Sequence, residues 1–146
     1  MPPLVTTLFL LWLAIVSTAT AAGEDPVPTV DNRIDLGLTA EERTEFLAEM
    51  RVMLASIQGI LQGIGENDRE RIAEAARQSG NRMARATPES VRAKMPQSFR
   101  DLGGPTHMLF EELAVRAETD DMDSLASAAA VIMNQCLACH AMFRVH

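Results

Sequence analysis

The residues with the clearest chemistry are Cys136-Leu137-Ala138-Cys139-His140, a run that ends six residues before the C-terminus. Two cysteines at this spacing, followed directly by a histidine, form the attachment sequence of a c-type haem. The thiols add to the two vinyl groups of the porphyrin, and the imidazole binds the iron from one side. On a helix, positions i, i+3 and i+4 project to one face, so all three side chains can reach one flat macrocycle. The sequence therefore predicts one covalent haem c per chain, with His140 as an iron ligand.

Three other roles for Cys136 and Cys139 compete with this prediction. A redox-active dithiol normally opens a helix after a strand, whereas no strand pattern precedes these cysteines. A zinc site would need four Cys or His ligands, and only His107 and His146 remain to complete one. A structural disulfide in an oxidising compartment is the third alternative. Haem attachment is favoured because the adjacent histidine and the expected export support it independently of the cysteine spacing.

An apolar segment at the N-terminus predicts export. Residues 4–16 contain almost no polar side chain, and small residues with an Ala-x-Ala pattern follow at 17–23. We therefore expect residues 1–22 to be a signal peptide, cleaved near Ala21 or Ala22, and residues 23–146 to form one domain. No Lys or Arg precedes residue 4, so retention of the segment as an anchor stays open. Haem-binding thiols are expected to meet haem outside the cytoplasm, which together with export predicts a periplasmic protein.

The charge of the chain limits its partners. The formal net charge is −7, and residues 1–22 contain no ionisable side chain, so the acidic charge belongs to the predicted domain. Such a surface disfavours nucleic acid and anionic lipid as partners. It suits a positively charged redox partner, such as a small redox protein or a respiratory complex. No general base, nucleophile pair or phosphate-binding loop is recognisable, so the sequence does not predict an enzyme.

Helical periodicity predicts an all-α fold. Thr39-Ala40-Glu41-Glu42 is a capping box that begins a first helix, and Gly63 and Gly65 are expected to end it. Apolar residues recur along this helix at alternating spacings of three and four, which is typical of a seam that packs in a bundle. The predicted inward positions are Leu47, Met50, Leu54, Ile57, Leu61 and Ile64.

Three further helices are predicted. The second begins at Asn67 and extends towards Met83, a short extra turn covers residues 87–96, and residues 96–105 form a connection. The third begins at Gly104-Pro105-Thr106, since proline is tolerated in a first turn. The fourth carries as inward residues Leu125, Ala129, Ile132, Cys136, Cys139 and Phe143. Four such helices with mostly short connections predict an antiparallel up-down four-helix bundle, with the covalently bound haem near the C-terminal helix.

The group on the far side of the iron from His140 must come from upstream, because only six residues follow His140. The first helix is the natural wall opposite the fourth in an antiparallel bundle, and its apolar arc is centred close to Met50. We therefore expect Met50 to be the distal iron ligand; Met53 or an open distal position are the alternatives. Thioether ligation favours outer-sphere electron transfer. A vacant position lined by Leu54 or an unbound Met50 would instead admit nitric oxide or carbon monoxide.

The run from Cys136 to Arg144, on the last of four predicted helices, resembles the cytochrome c prime family, the class II c-type cytochromes. The resemblance covers nearly all of residues 23–146 and includes Leu102-Gly103 followed by His107 and Phe110. It implies a haem within the bundle and a basic residue near its proximal side, in the place that Arg144 occupies. Family members have either an apolar distal residue or a distal methionine from the first helix. The resemblance also implies that the chain could form a homodimer through its first two helices.

Three residues near the motif have simpler explanations as well. Arg144 lies four positions after His140, which would put both on one helix face, but a basic residue in a last turn also favours the helix dipole. His107 is predicted to be a solvated or capping residue near a helix start. His146 is the terminal residue and is expected to be frayed.

Overall fold

A computed structural model describes residues 30–146, so the predicted signal peptide at 1–22 lies outside the described residues. Residues Asn32–His146 form one compact unit. Its elements, in chain order, are β1 (Ile34–Asp35), α1 (Ala40–Glu66), α2 (Arg69–Gln78), α3 (Asn81–Ala86), α4 (Glu89–Lys94), α5 (Gln97–Arg116), α6 (Met122–Met142) and β2 (Phe143–Arg144). The described part of the chain is mostly helical, which confirms the all-α prediction.

Helix α1 begins as predicted and ends later than predicted. The Thr39 hydroxyl accepts from the amide of Glu42, and the Glu42 carboxylate accepts from the amide of Thr39, so the capping box is complete. Gly63 and Gly65 do not end the helix, because neither leaves the helical conformation. Asn67 takes the left-handed conformation (φ 57°) instead, and its amide bonds to carbonyls of the last turn.

The glycines of α1 serve helix packing. A Cβ atom on Gly63 would lie 2.7 Å from Cγ1 of Ile72, and one on Gly59 would lie 2.8 Å from Cβ of Ala75. Both distances are shorter than real contacts allow. The missing side chains therefore let α2 approach α1 closely across the two-residue connection.

The inward face of α1 differs from the predicted seam. Ile57 and Ile60 are buried, whereas Leu54 and Leu61 are 68% and 55% exposed. Apolar residues lie on two sides of this helix, so its own sequence does not determine which side α2 and α6 cover. The prediction that Leu54 and Leu61 point inward is wrong.

Helix α2 begins and ends at different residues from those predicted. Its N-cap is Asp68, whose carboxylate accepts from the amide of Arg71 (3.0 Å), because Asn67 is already used at the end of α1. The helix ends at Gln78, and Met83 lies on the separate helix α3. The extra turn predicted at residues 87–96 is present as α4.

Helix α5 begins at Gln97, which overturns the prediction of a connection over residues 96–105. Pro105 lies inside the helix, where it removes one backbone hydrogen bond. The next residue, Thr106, donates its hydroxyl hydrogen to the carbonyl oxygen of Leu102 (2.7 Å) and is itself buried. Burial of the apolar face of α5 thus outweighs the local preference of Gly-Gly-Pro for a break.

Helices α1, α2, α5 and α6 contribute to one hydrophobic cluster. Its largest fully buried apolar side chains are Ile60, Ile72, Phe110, Leu113, Leu125 and Ile132. A second, smaller cluster lies near the ends of the described chain and consists of Leu36, Val91, Met95 and Phe143.

The chain segments before α1 and after α6 meet in a two-stranded parallel pair that the sequence did not predict. Ile34 is opposite Phe143 and Asp35 is opposite Arg144, and the amide of Leu36 donates to the carbonyl oxygen of Arg144 (3.1 Å). Phe143 therefore does not lie on the last helix, contrary to the prediction. It packs edge-on against Phe99, with ring centroids 5.3 Å apart.

Helix α6 is the one helix within residues 30–146 that is long and apolar enough to cross a membrane by length and composition. Core helices of soluble proteins pass the same test. Leu125, Ala129 and Ile132 of α6 are buried in this unit, and a single helix of this kind is weak evidence of a membrane span.

Candidate cofactor cavity

One cavity of about 520 Å³ brings the chemically important residues together. From α6 it is lined by Gln135, Cys136, Cys139 and His140, and from α1 by Phe46, Leu47, Glu49, Met50 and Met53. Its volume lies within the range of roughly 300–1,000 Å³ that is usual for small-molecule and cofactor sites. Both thiols and the imidazole of the motif thus line the same space, as their i, i+3, i+4 spacing on one helix requires.

The two cysteines are half-buried free thiols. Burial raises the pKa of Cys136, and burial together with the neighbouring Cys136 raises the pKa of Cys139. Redox-active dithiols have the opposite environment, in which a helix N-terminus or a nearby cation lowers the thiol pKa. The surroundings of this pair therefore disfavour dithiol oxidoreductase chemistry.

His140 lies in the last turn of α6 and is exposed while also lining the cavity. Its main-chain carbonyl oxygen accepts a hydrogen bond from Nη1 of Arg33 (3.3 Å), a residue from the segment before β1. The main chain of the motif histidine is therefore contacted by the chain segment before β1.

The wall that α1 provides contains both candidate methionines. Met53 packs against the main hydrophobic cluster. Met50 lines the cavity without belonging to either buried cluster, so its thioether is the more available of the two. Leu54 points to solvent and does not line the cavity. The prediction that Leu54 would line a vacant distal position is therefore wrong. The leucine on this wall is Leu47.

The polar part of the lining is cationic. It contains one acidic side chain, Glu49, and four guanidinium groups, those of Arg33, Arg92, Arg100 and Arg144. Arg92 and Arg100 are held by main-chain carbonyls, Arg92 by Thr87 (2.7 Å) and Arg100 by Met95. Arg92 also pairs with Glu89 (3.6 Å), which does not line the cavity. Among the lining residues themselves the arginines outnumber the one carboxylate, which suits a ligand that carries carboxylates.

Arg144 lies beside the cavity for a different reason from the predicted one. Helix α6 ends at Met142, so Arg144 is not on the helix face that carries His140. It lies in β2, and its Nη1 contacts Nε2 of His146. The argument from i+4 spacing is wrong, because the chain leaves the helix two residues before Arg144.

His107 is a lining residue whose position the sequence did not predict. It lies inside α5 and not near a helix start, and its Nδ1 donates to the carbonyl oxygen of Ser79 (2.8 Å). The hydroxyl of Ser79 shares a buried hydrogen bond with that of Ser56 (2.8 Å). These contacts join α1, the end of α2 and α5 next to the cavity.

Apolar residues that follow β1, follow α4 and lie within α5 also line the cavity. They include Leu36, Met95 and Phe99, and the Phe99 ring lies 6.0 Å from that of Phe46, centroid to centroid. The sequence placed Phe99 in the predicted connection over residues 96–105. Its role depends on α5 beginning at Gln97, which local residue preferences do not favour.

The donor set fits a flat, mostly apolar macrocycle that carries carboxylates and a metal. Two thiols and an imidazole line one side, a thioether lies on the facing helix, and aromatic rings and guanidinium groups complete the lining. Among residues 30–146 no group of three His, Cys, Asp or Glu side chains is arranged to hold a metal ion without a cofactor. In comparisons with known proteins, no family model, curated protein or solved structure matches the chain.

Proposed function

We propose that the chain is a periplasmic mono-haem c-type cytochrome of the cytochrome c prime type that carries single electrons. The observation that supports this most directly is that Cys136, Cys139 and His140 line one cavity together with Met50 of the facing helix. The haem supplies an iron that cycles between the ferrous and ferric states. Burial raises the pKa of both thiols, which argues against their use as a redox-active dithiol.

Each residue of the cavity has a defined task in this proposal. The thiols of Cys136 and Cys139 would hold the macrocycle by adding S–H across its two vinyl double bonds, which needs reduced cysteines and no oxidant. His140 on α6 and Met50 on α1 would hold the iron. Phe46, Leu47, Leu36, Phe99 and Phe143 would exclude water, and Arg92, Arg100 and Arg144 would bind the carboxylates of the macrocycle.

We propose that α1, α2, α5 and α6 form an antiparallel up-down four-helix bundle around this cofactor. In support, these four helices share the main hydrophobic cluster, and α3 and α4 are only six residues long. The connection between α1 and α2 is two residues and that between α5 and α6 is five, lengths that suit antiparallel neighbours. A homodimer stays a prediction.

The redox partner is proposed from charge. The acidic net charge favours a basic small redox protein or a basic surface of a respiratory complex. Signal-peptide cleavage near Ala21 or Ala22 would deliver the protein to the periplasm, where such partners are found.

A second function, binding of nitric oxide or carbon monoxide, has one supporting observation. Leu47 lines the same wall as Met50, one helical turn earlier. If an apolar side chain faces the iron, the sixth position stays open to small gases. The state of that position, and not the attachment motif, separates the two functions.

The test is expression of the full-length chain with haem-maturation machinery, followed by intact-protein mass spectrometry and absorption spectroscopy. We expect one haem per chain and a Soret band, and neither in the double variant Cys136→Ala/Cys139→Ala. A ferrous spectrum that carbon monoxide changes readily would favour gas binding over methionine ligation. A polypeptide without haem would contradict both functions.

A further inference from the structure

The C-terminal end of α6 is capped in part by a side chain from a distant segment. The helix ends at Met142, and the last carbonyls of any helix lack partners within it. The amide of Phe143 bonds to the carbonyl oxygen of Cys139. The next carbonyl, that of His140, accepts from the side chain of Arg33, which is 107 residues earlier in the chain.

The segment that carries Arg33 is itself held in place. Ile34 and Asp35 form the parallel pair with Phe143 and Arg144, directly after the motif helix. Leu36 is buried with Phe143 in the second hydrophobic cluster. The backbone of Arg33 is therefore fixed one residue before a paired strand, and its guanidinium reaches both the cavity and the end of α6.

We propose that Arg33 is a positioning residue for His140: it caps α6 at the very residue whose imidazole binds the iron. The inference rests on the proposed role of His140 as an iron ligand. A guanidinium at a helix C-terminus satisfies a carbonyl and is favoured by the helix dipole. By holding the His140 main chain, Arg33 fixes the last helical turn and with it the direction in which the imidazole projects. A favourable interaction of Arg144 with the end of this helix was an alternative in the sequence analysis, but the structure places Arg144 in β2.

The test compares Arg33→Ala and Arg33→Lys in the haem-loaded protein. The matched control is Arg51→Ala, because Arg51 is exposed on α1 and does not line the cavity. Proton NMR of the ferric protein reports the orientation of the axial imidazole through its hyperfine-shifted signals. We expect Arg33→Ala to shift these signals and the midpoint potential while haem content stays unchanged. Arg33→Lys should largely restore the wild-type signals and midpoint potential. Arg51→Ala should match the wild type in both.

Hydrogen exchange gives a readout that does not need haem. In the wild type the amides of residues 140–144 should be protected, and Arg33→Ala should increase their exchange several-fold, whereas Arg51→Ala should not. Imidazole signals and exchange rates that Arg33→Ala leaves unchanged would overturn the inference. A wild-type chain without haem would instead refute the proposed function, and the exchange rates would still decide whether Arg33 caps α6.

Discussion

At the residue scale, Met50 and Met53 line the cavity from neighbouring turns of α1 but have different surroundings. Met53 packs against the main hydrophobic cluster, whereas Met50 belongs to neither buried cluster. We therefore predict that Met50→Ala converts a six-coordinate low-spin ferric spectrum largely to high spin. Met53→Ala should leave the spin state unchanged, although it should lower stability because it removes packed apolar surface, by about 1–3 kcal/mol. Electron paramagnetic resonance measures the spin state.

The exposed Met108 provides a control for methionine loss in general. Met108→Ala should change neither the spin state nor the stability. A high-spin spectrum from Met53→Ala and a low-spin one from Met50→Ala would transfer the ligand assignment to Met53. A wild-type spectrum that is already high spin would favour the gas-binding function.

Glu49 is one residue whose ionisation should make the stability of the haem-free protein depend on pH. Burial and the neighbouring Glu45 raise the pKa of the Glu49 carboxyl. The folded state then holds this proton more tightly than the unfolded state does. Glu49 thus favours folding below its ordinary pKa, and that contribution is lost as the pH rises through the raised pKa.

We predict that Glu49→Gln raises the melting temperature of the Cys136→Ala/Cys139→Ala protein at pH 7, by roughly 1–3 °C. Near pH 4 the difference should disappear, because the wild-type carboxyl is then largely protonated. Thermal unfolding followed by circular dichroism at the two pH values measures it. An equal difference at both values would show that charge is not the cause.

At the element scale, the contact between α1 and α2 depends on Gly63. A Cβ atom there would lie 2.7 Å from Cγ1 of Ile72 and 3.0 Å from the carbonyl oxygen of Asp68. We predict that Gly63→Ala destabilises the protein by about 1–3 kcal/mol through overpacking. Gly65→Ala is the matched control, since nothing lies within 4 Å of its Cβ position. It should stabilise the helix by roughly 0.5–1 kcal/mol, because alanine is the better helix former. Urea denaturation measures both, and similar effects of the two variants would contradict the proposed packing.

The helix boundaries show which local patterns predict structure and which do not. The capping box at Thr39 and Glu42 was predicted and is present, because both of its hydrogen bonds form within four residues. Gly63 was predicted to end the first helix and Gly104-Pro105 to begin the third, but both lie inside helices. At these positions packing against another helix outweighs a local preference of about 1–3 kcal/mol.

At the scale of the whole molecule, the cavity makes stability depend on the cofactor. It occupies about 520 Å³ between α1, α5, α6 and the paired ends, and without a ligand its apolar walls lose their contacts. We predict that the Cys136→Ala/Cys139→Ala protein, which cannot retain haem covalently, melts at least about 10 °C below the haem-loaded form. Differential scanning calorimetry measures the difference. Equal melting temperatures would show that the cavity is not a cofactor site.

The sequence alone determined the features that depend on neighbouring residues. The spacing of Cys136, Cys139 and His140 places them on one helix face, and the apolar periodicity of residues 39–142 requires packed helices. Only the tertiary structure decided which side of α1 is covered, that Pro105 lies inside a helix, and that Arg33 reaches His140 from the far end of the domain. These outcomes depend on contacts between segments distant in sequence, whose packing energy exceeds the local preferences that a sequence displays.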